Sequence, residues 1–78
     1  MNWKKHGVRF EEAVTSFADP LGIIVDDDAD AARAILIGMS RSSRILFTVF
    51  VERDESVTRI ISARLATRPE RRRYEEGD

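Results

Sequence analysis

The stretch Ile60-Ile61-Ser62-Ala63-Arg64-Leu65-Ala66-Thr67-Arg68-Pro69-Glu70-Arg71-Arg72-Arg73-Tyr74-Glu75-Glu76 decides the fold, because in it an apolar strand pattern runs directly into a capped, arginine-loaded helix. β-branched Ile60 and Ile61 favour extended backbone. Thr67 with Glu70 three residues on makes a capping box, and Pro69 suits a first helical turn, so the helix is expected to begin at Thr67. Its first backbone N–H groups and positive dipole end then lie beside Arg64, Arg68, Arg71 and Arg72, which together could hold an anion such as phosphate.

Working back from this junction, Val57 to Leu65 is expected as a strand, Arg53-Asp54-Glu55-Ser56 as a turn, and Arg44 to Glu52 as the longest strand, apolar on both faces and therefore central. Alternation along the last strand puts Arg64 on the face of Thr58, Ile60 and Ser62. Met39 to Ser43 is a polar turn, Ala34 to Gly38 another strand, and Leu21 to Val25 the first. The last three strands have connections too short for parallel crossovers, so they form an antiparallel meander. Asp26-Asp27-Asp28-Ala29-Asp30 has neither the glycine nor the distant glutamate of an EF-hand loop, and a solvated hairpin loop is expected there instead of a metal site. Ahead of the strands, Phe10, Ala13, Val14, Phe17 and Ala18 form the apolar stripe of an amphipathic helix that Asp19-Pro20 stops. Asn2 to His6 resembles the last turn of an earlier helix, closed by Gly7. The sum is one domain over residues 1–78, an α+β fold with a small antiparallel four-stranded sheet, an N-terminal helix and a C-terminal helix.

A chain of 78 residues has a small core and gains from a partner. It holds no cysteine and one histidine, so neither a disulfide framework nor an all-protein zinc site is expected, and no metal or cofactor is assigned. No apolar run is long enough for a membrane helix and no signal-peptide core follows Met1, so a cytoplasmic protein without a membrane partner is expected. Residues 1–38 carry four basic and seven acidic side chains, residues 39–78 nine basic and seven acidic, and every basic residue of the second half is arginine. Arginine's planar fork binds phosphate or carboxylate at two points, which leans toward a polyanion or an acidic protein as partner.

Three blocks carry a family resemblance: Asn2-x-x-Lys5-His6-Gly7-Val8-x-Phe10-Glu11-Glu12-Ala13, then Phe17-x-Asp19-Pro20-Leu21, and finally Arg59-Ile60-Ile61-Ser62-Ala63-Arg64-x-Ala66-Thr67-x-x-Glu70-Arg71-Arg72-x-Tyr74-Glu75. In order and spacing together they resemble the BrnT toxin family across nearly the whole chain. The resemblance implies a RelE-like fold, RNA cleavage, and the toxin role in a type II toxin–antitoxin pair neutralised by a BrnA-like antitoxin. It leaves open a heterotetrameric complex that binds operator DNA through the antitoxin. Similar members carry a Trp-Asp-containing strand and most of a first helix before the first block, so that N-terminal piece is expected to be missing here.

Cleaving RNA without metal requires a base for the ribose 2'-hydroxyl, an acid for the leaving oxygen and cations for the charge growing on phosphorus. His6 is the one side chain with an ordinary pKa near neutrality, and it suits either proton role or a helix-end cap. Lys5 suits a phosphate contact or plain solvation. Arg64, beside a helix N-terminus, is the leading transition-state contact. Tyr74 suits proton donation, base stacking, or anchoring the helix to the sheet. Arg68 and Arg72 share a helix face with Arg71 adjoining and are assigned to RNA binding, while Glu70 and Arg73 are expected to pair at i, i+3. The competing reading is a non-catalytic binding module whose arginine surface clasps an acidic protein partner.

Overall fold

Six elements follow one another in the computed structural model, which describes residues 8–54 and 57–77: α1 (Phe10–Ser16), β1 (Ile23–Asp26), β2 (Ala34–Met39), β3 (Ile45–Asp54), β4 (Val57–Leu65) and α2 (Arg68–Glu76). The strands form one sheet in the order β1-β2-β3-β4, antiparallel throughout. This is the α+β architecture expected, with β1 displaced. It begins two residues late because the turn after α1 is longer than expected: the Asp19 carbonyl accepts from Gly22 N at 3.1 Å, and Asp19 Oδ1 accepts from Leu21 N at 2.9 Å.

One face of the sheet carries Leu36 on β2, Leu46, Thr48 and Phe50 on β3 and Ala63 on β4, all buried, and α1 packs there. Val8, Ala13, Leu46 and Ala63 form the central cluster, with Ile60 against it. The helix buries a different surface from the stripe expected. Ala13 and Ser16 are fully buried, whereas Phe10 is 50% and Val14 57% exposed. The cause is close approach: a Cβ built on Gly38 of β2 would lie 3.1 Å from the Ser16 carbonyl oxygen, so small residues face the sheet. Phe17 sets its ring edge-on to Phe50 at 5.1 Å.

The other face carries Ile35 and Ile37 on β2, Phe47 and Val49 on β3, and Ser62 and Arg64 on β4, judged by their pairing across the sheet. Here the register corrects the expected alternation. Val49 faces Ser62 while Phe50 faces Ile60, so Ile61 is an extra residue in a β-bulge. Ile60 thereby moves to the Ala63 face and joins the core, and Arg64 does not share a face with it. The strand ends with Ala66 N bonded to the Ile45 carbonyl at 2.9 Å, which delivers the chain to α2 at a fixed position.

Candidate anion site at the strand-to-helix junction

Thr67 is extended at φ −74°, ψ 171°, and caps α2 as expected. Its hydroxyl accepts from Glu70 N at 3.4 Å, and Glu70 Oε1 accepts from Thr67 N at 2.8 Å. The same carboxylate binds Arg64 at two points, with Nη1 donating to Oε1 at 2.8 Å and Nη2 to Oε2 at 3.0 Å. Arg64 Nη1 also donates to the Leu65 carbonyl at 3.1 Å, and the guanidinium carbon lies 3.9 Å from the Phe47 ring centroid. The hydrogen bonds from Arg64, opposed by burial and helped by those from Thr67, hold the Glu70 carboxyl below its usual range, while Glu70 raises Arg64 further.

Two expectations change. The helix N-terminus is not open to a bound anion in the manner anticipated, because Pro69 has no N–H, Glu70 N is taken by Thr67, and the anion already seated there is Glu70's own carboxylate. Nor does Glu70 pair with Arg73. A two-point fork from Arg64, combined with the cap bond, outweighs a single exposed i, i+3 pair.

Arg68, Pro69, Arg72, Arg73 and Glu76 line an open depression of about 270 Å³ on α2. Arg68 and Arg72 share that face as expected, and the residue beside them in the depression is Arg73, with Arg71 outside it. Arg68, Arg71 and Arg72 are exposed and form no ion pair among the described residues. Tyr74 is elsewhere and occupied: its hydroxyl donates to Asp19 Oδ2 at 2.6 Å. Asp19 pushes the phenol up to about 12, so of the roles open to it the anchoring one fits. Burial raises the Asp19 carboxyl, but bonds from Tyr74, Met39 N at 2.8 Å and Leu21 N outweigh it and leave it below its ordinary value. Lys5 and His6 lie outside the described residues, and so does their meeting with the junction.

Sequence reasoning missed three polar groups. Asp19 was visible only as a helix stop, although an aspartate ahead of proline is also an Asx-turn signal. Glu12 reads from the sequence only as an acid in the first turn of α1, and Ser40 only as part of a polar turn. Arg44 Nε donates to Glu12 Oε2 at 2.9 Å and its Nη2 to Oε1 at 2.5 Å, while Ser40 Oγ donates to Oε2 at 2.6 Å. This network clamps α1 to the β2–β3 turn. The aspartates after β1 serve their own loop, Asp27 accepting from Ala29 N and Asp30 from Ala32 N, each at 2.9 Å. No helix among the described residues is long and apolar enough to cross a membrane.

A family model described as the ribonuclease toxin, BrnT, of type II toxin–antitoxin systems matches residues 1–70. The match takes in α1, the whole sheet and the junction as far as Glu70, and leaves most of α2 beyond it. Comparison with curated proteins found no match.

Proposed function

The chain belongs to the BrnT family of ribonuclease toxins of type II toxin–antitoxin systems, and from that premise we propose that it is a metal-independent endoribonuclease with Arg64 at its catalytic centre. The observation that carries this reading is the placement of Arg64 near the end of β4, stacked on Phe47 and held by Glu70 of the helix that carries Arg68, Arg71 and Arg72. In the reaction the ribose 2'-oxygen attacks the adjacent phosphorus, its proton passes to a base, and the 5'-oxygen departs with a proton from an acid. The ends left are a 2',3'-cyclic phosphate and a 5'-hydroxyl. Arg64 stabilises the charge growing on the phosphoryl oxygens, a fixed cation needing no reorganisation as the reaction proceeds. Histidine is the side-chain type suited to proton transfer at neutral pH, which assigns that role to His6, and Lys5, adjacent in sequence, is assigned a phosphate contact. Arg68, Arg71 and Arg72 hold the RNA backbone. Tyr74 contributes the anchor of α2.

Cleavage by this route inhibits translation and growth, and a BrnA-like antitoxin neutralises it by covering the arginine junction or extending an open sheet edge. Purified protein is expected to cut RNA in excess chelator and leave cyclic phosphate ends. Arg64→Ala is expected to abolish both cleavage and growth arrest while circular dichroism stays that of the wild type. Undiminished cleavage by a folded Arg64→Ala protein would remove Arg64 from the site.

A further inference from the structure

Arginine has five N–H bonds in one plane, and how they are shared decides what the residue can bind. In Arg64 both Nη1 N–H bonds are used, one on Glu70 Oε1 and the other on the Leu65 carbonyl, and Nη2 spends one on Glu70 Oε2. Among the described residues the pair left unused is Nε–H and the second Nη2 N–H, which point the same way along one edge of the plane. No described residue accepts from Nε. That edge is a ready two-point fork for phosphate. One face of the guanidinium is fixed on Phe47, directly opposite Arg64 in the β3–β4 register. Glu70 is fixed in turn by Thr67 N at the start of α2.

Resting on the ribonuclease reading, we propose that Glu70 and Phe47 are positioning residues that hold Arg64 by its end and its face, so that the Nε–Nη2 edge is the one presented to a phosphodiester. Glu70 does not serve as the base: both its oxygens accept hydrogen bonds, one of them two. A different role for the same carboxylate would be to compete with RNA for Arg64 and so restrain the enzyme. The two roles differ in sign, since loss of Glu70 slows a positioned arginine and releases a restrained one.

Glu70→Gln separates them while preserving the helix, because glutamine serves the third position of a capping box as glutamate does. Phe47→Leu keeps apolar bulk and removes the ring face. Cleavage of a defined oligoribonucleotide is expected to lose roughly tenfold to a hundredfold in kcat with Glu70→Gln, and less with Phe47→Leu, with KM changing less than kcat. In an Arg64→Ala background, where cleavage is abolished, neither change is expected to alter binding of the 2'-O-methyl oligonucleotide, whereas a purely structural role would weaken it there too. In parallel, the Arg64 Nε–H resonance is expected to shift on addition of a 2'-O-methyl oligonucleotide, and to shift less in Glu70→Gln. Faster cleavage by Glu70→Gln, or unchanged kcat in both folded variants beside an inactive Arg64→Ala, overturns the positioning role and leaves the ribonuclease reading standing. A wild-type protein that neither cuts RNA nor moves its Nε–H signal overturns the reading beneath it.

Discussion

Thr48 is fully buried on the α1 face of the sheet, between Leu46 and Phe50, and its hydroxyl oxygen has no hydrogen-bond partner among the described residues. A buried polar atom left unmatched costs about 1–3 kcal/mol. Thr48→Val, which replaces the hydroxyl with a methyl group in the same shape, is therefore expected to stabilise the protein by about 1 kcal/mol. A urea midpoint that falls instead would show the hydroxyl to be satisfied. Tyr74 presents the opposite case, a hydroxyl bonded to a carboxylate on a half-buried side chain. Tyr74→Phe is expected to cost about 1 kcal/mol in the same measurement, below the usual value for a bond to a charged group because solvent screens it. The pH dependence has a definite sign. Asp19 raises the phenol from 10.0 to about 12, so its stabilisation is complete below pH 10 and is lost as pH rises through about 12. The Asp19, Glu12 and Glu70 carboxyls are lowered, so theirs is present above the ordinary carboxyl pKa and is lost as pH falls through the lowered values. Wild-type stability is thus expected to drop at both extremes, and Tyr74→Phe to flatten the alkaline limb between pH 10 and 12.

At the scale of elements, α2 is the one held by its ends. It has nine residues and buries none of them, and a helix that short is marginal in water without support. Support comes from the Thr67 cap, from Gly77 in the left-handed region at φ 81° with its N–H on the Arg73 and Tyr74 carbonyls, and from the tethers to Arg64 and Asp19. Thr67→Ala is expected to cost about 1 kcal/mol locally, so that amide exchange in α2 accelerates roughly fivefold while sheet amides hold their rates. Exchange that accelerates equally everywhere would make α2 part of the global folding unit. The start of α2 was legible in the sequence because a capping box is a local signal, complete within Thr67 to Glu70. The bulge at Ile61 was not, since Ile60-Ile61-Ser62 looks like any strand and only pairing with Val49 and Phe50 defines the extra residue. The buried side of α1 differs from the stripe because periodicity picks out large apolar residues, whereas the helix lies close to the sheet, with the Ser16 carbonyl against Gly38 and Ala13 packed on Leu46 and Ala63. At the junction, the arginines could be read from composition, but their division into paired Arg64 and unpaired Arg68, Arg71 and Arg72 depends on where Glu70 points. The Asp19–Tyr74 bond joins residues 55 positions apart, beyond any local pattern.

For the whole molecule, the separation of charge along the chain becomes a statement about RNA binding. The net charge is −1, so no general attraction draws in a polyanion, and binding must come from the arginines of the second half. Two of these are already neutralised: Arg44 sits on Glu12 and Arg64 on Glu70. Arg68, Arg71 and Arg72 are the exposed, unpaired cations nearest the junction. If each contacts one phosphate, binding of single-stranded RNA should weaken with salt at a log–log slope of about −2, from about −0.7 per phosphate. Raising salt from about 50 to 200 mM then costs roughly sixteenfold in affinity, far less than for a protein with a continuous basic surface. Fluorescence anisotropy with a 2'-O-methyl oligonucleotide, which binds without being cut, measures the slope directly. Arg72→Ala is expected to reduce its magnitude by about 0.7, as for any lost phosphate contact, with little dependence on base sequence. A slope near zero in the wild type would mean that the arginines of α2 do not touch RNA and would leave them free to meet an acidic protein surface. A slope that is steep but indifferent to Arg72 would place the RNA along another face of the sheet.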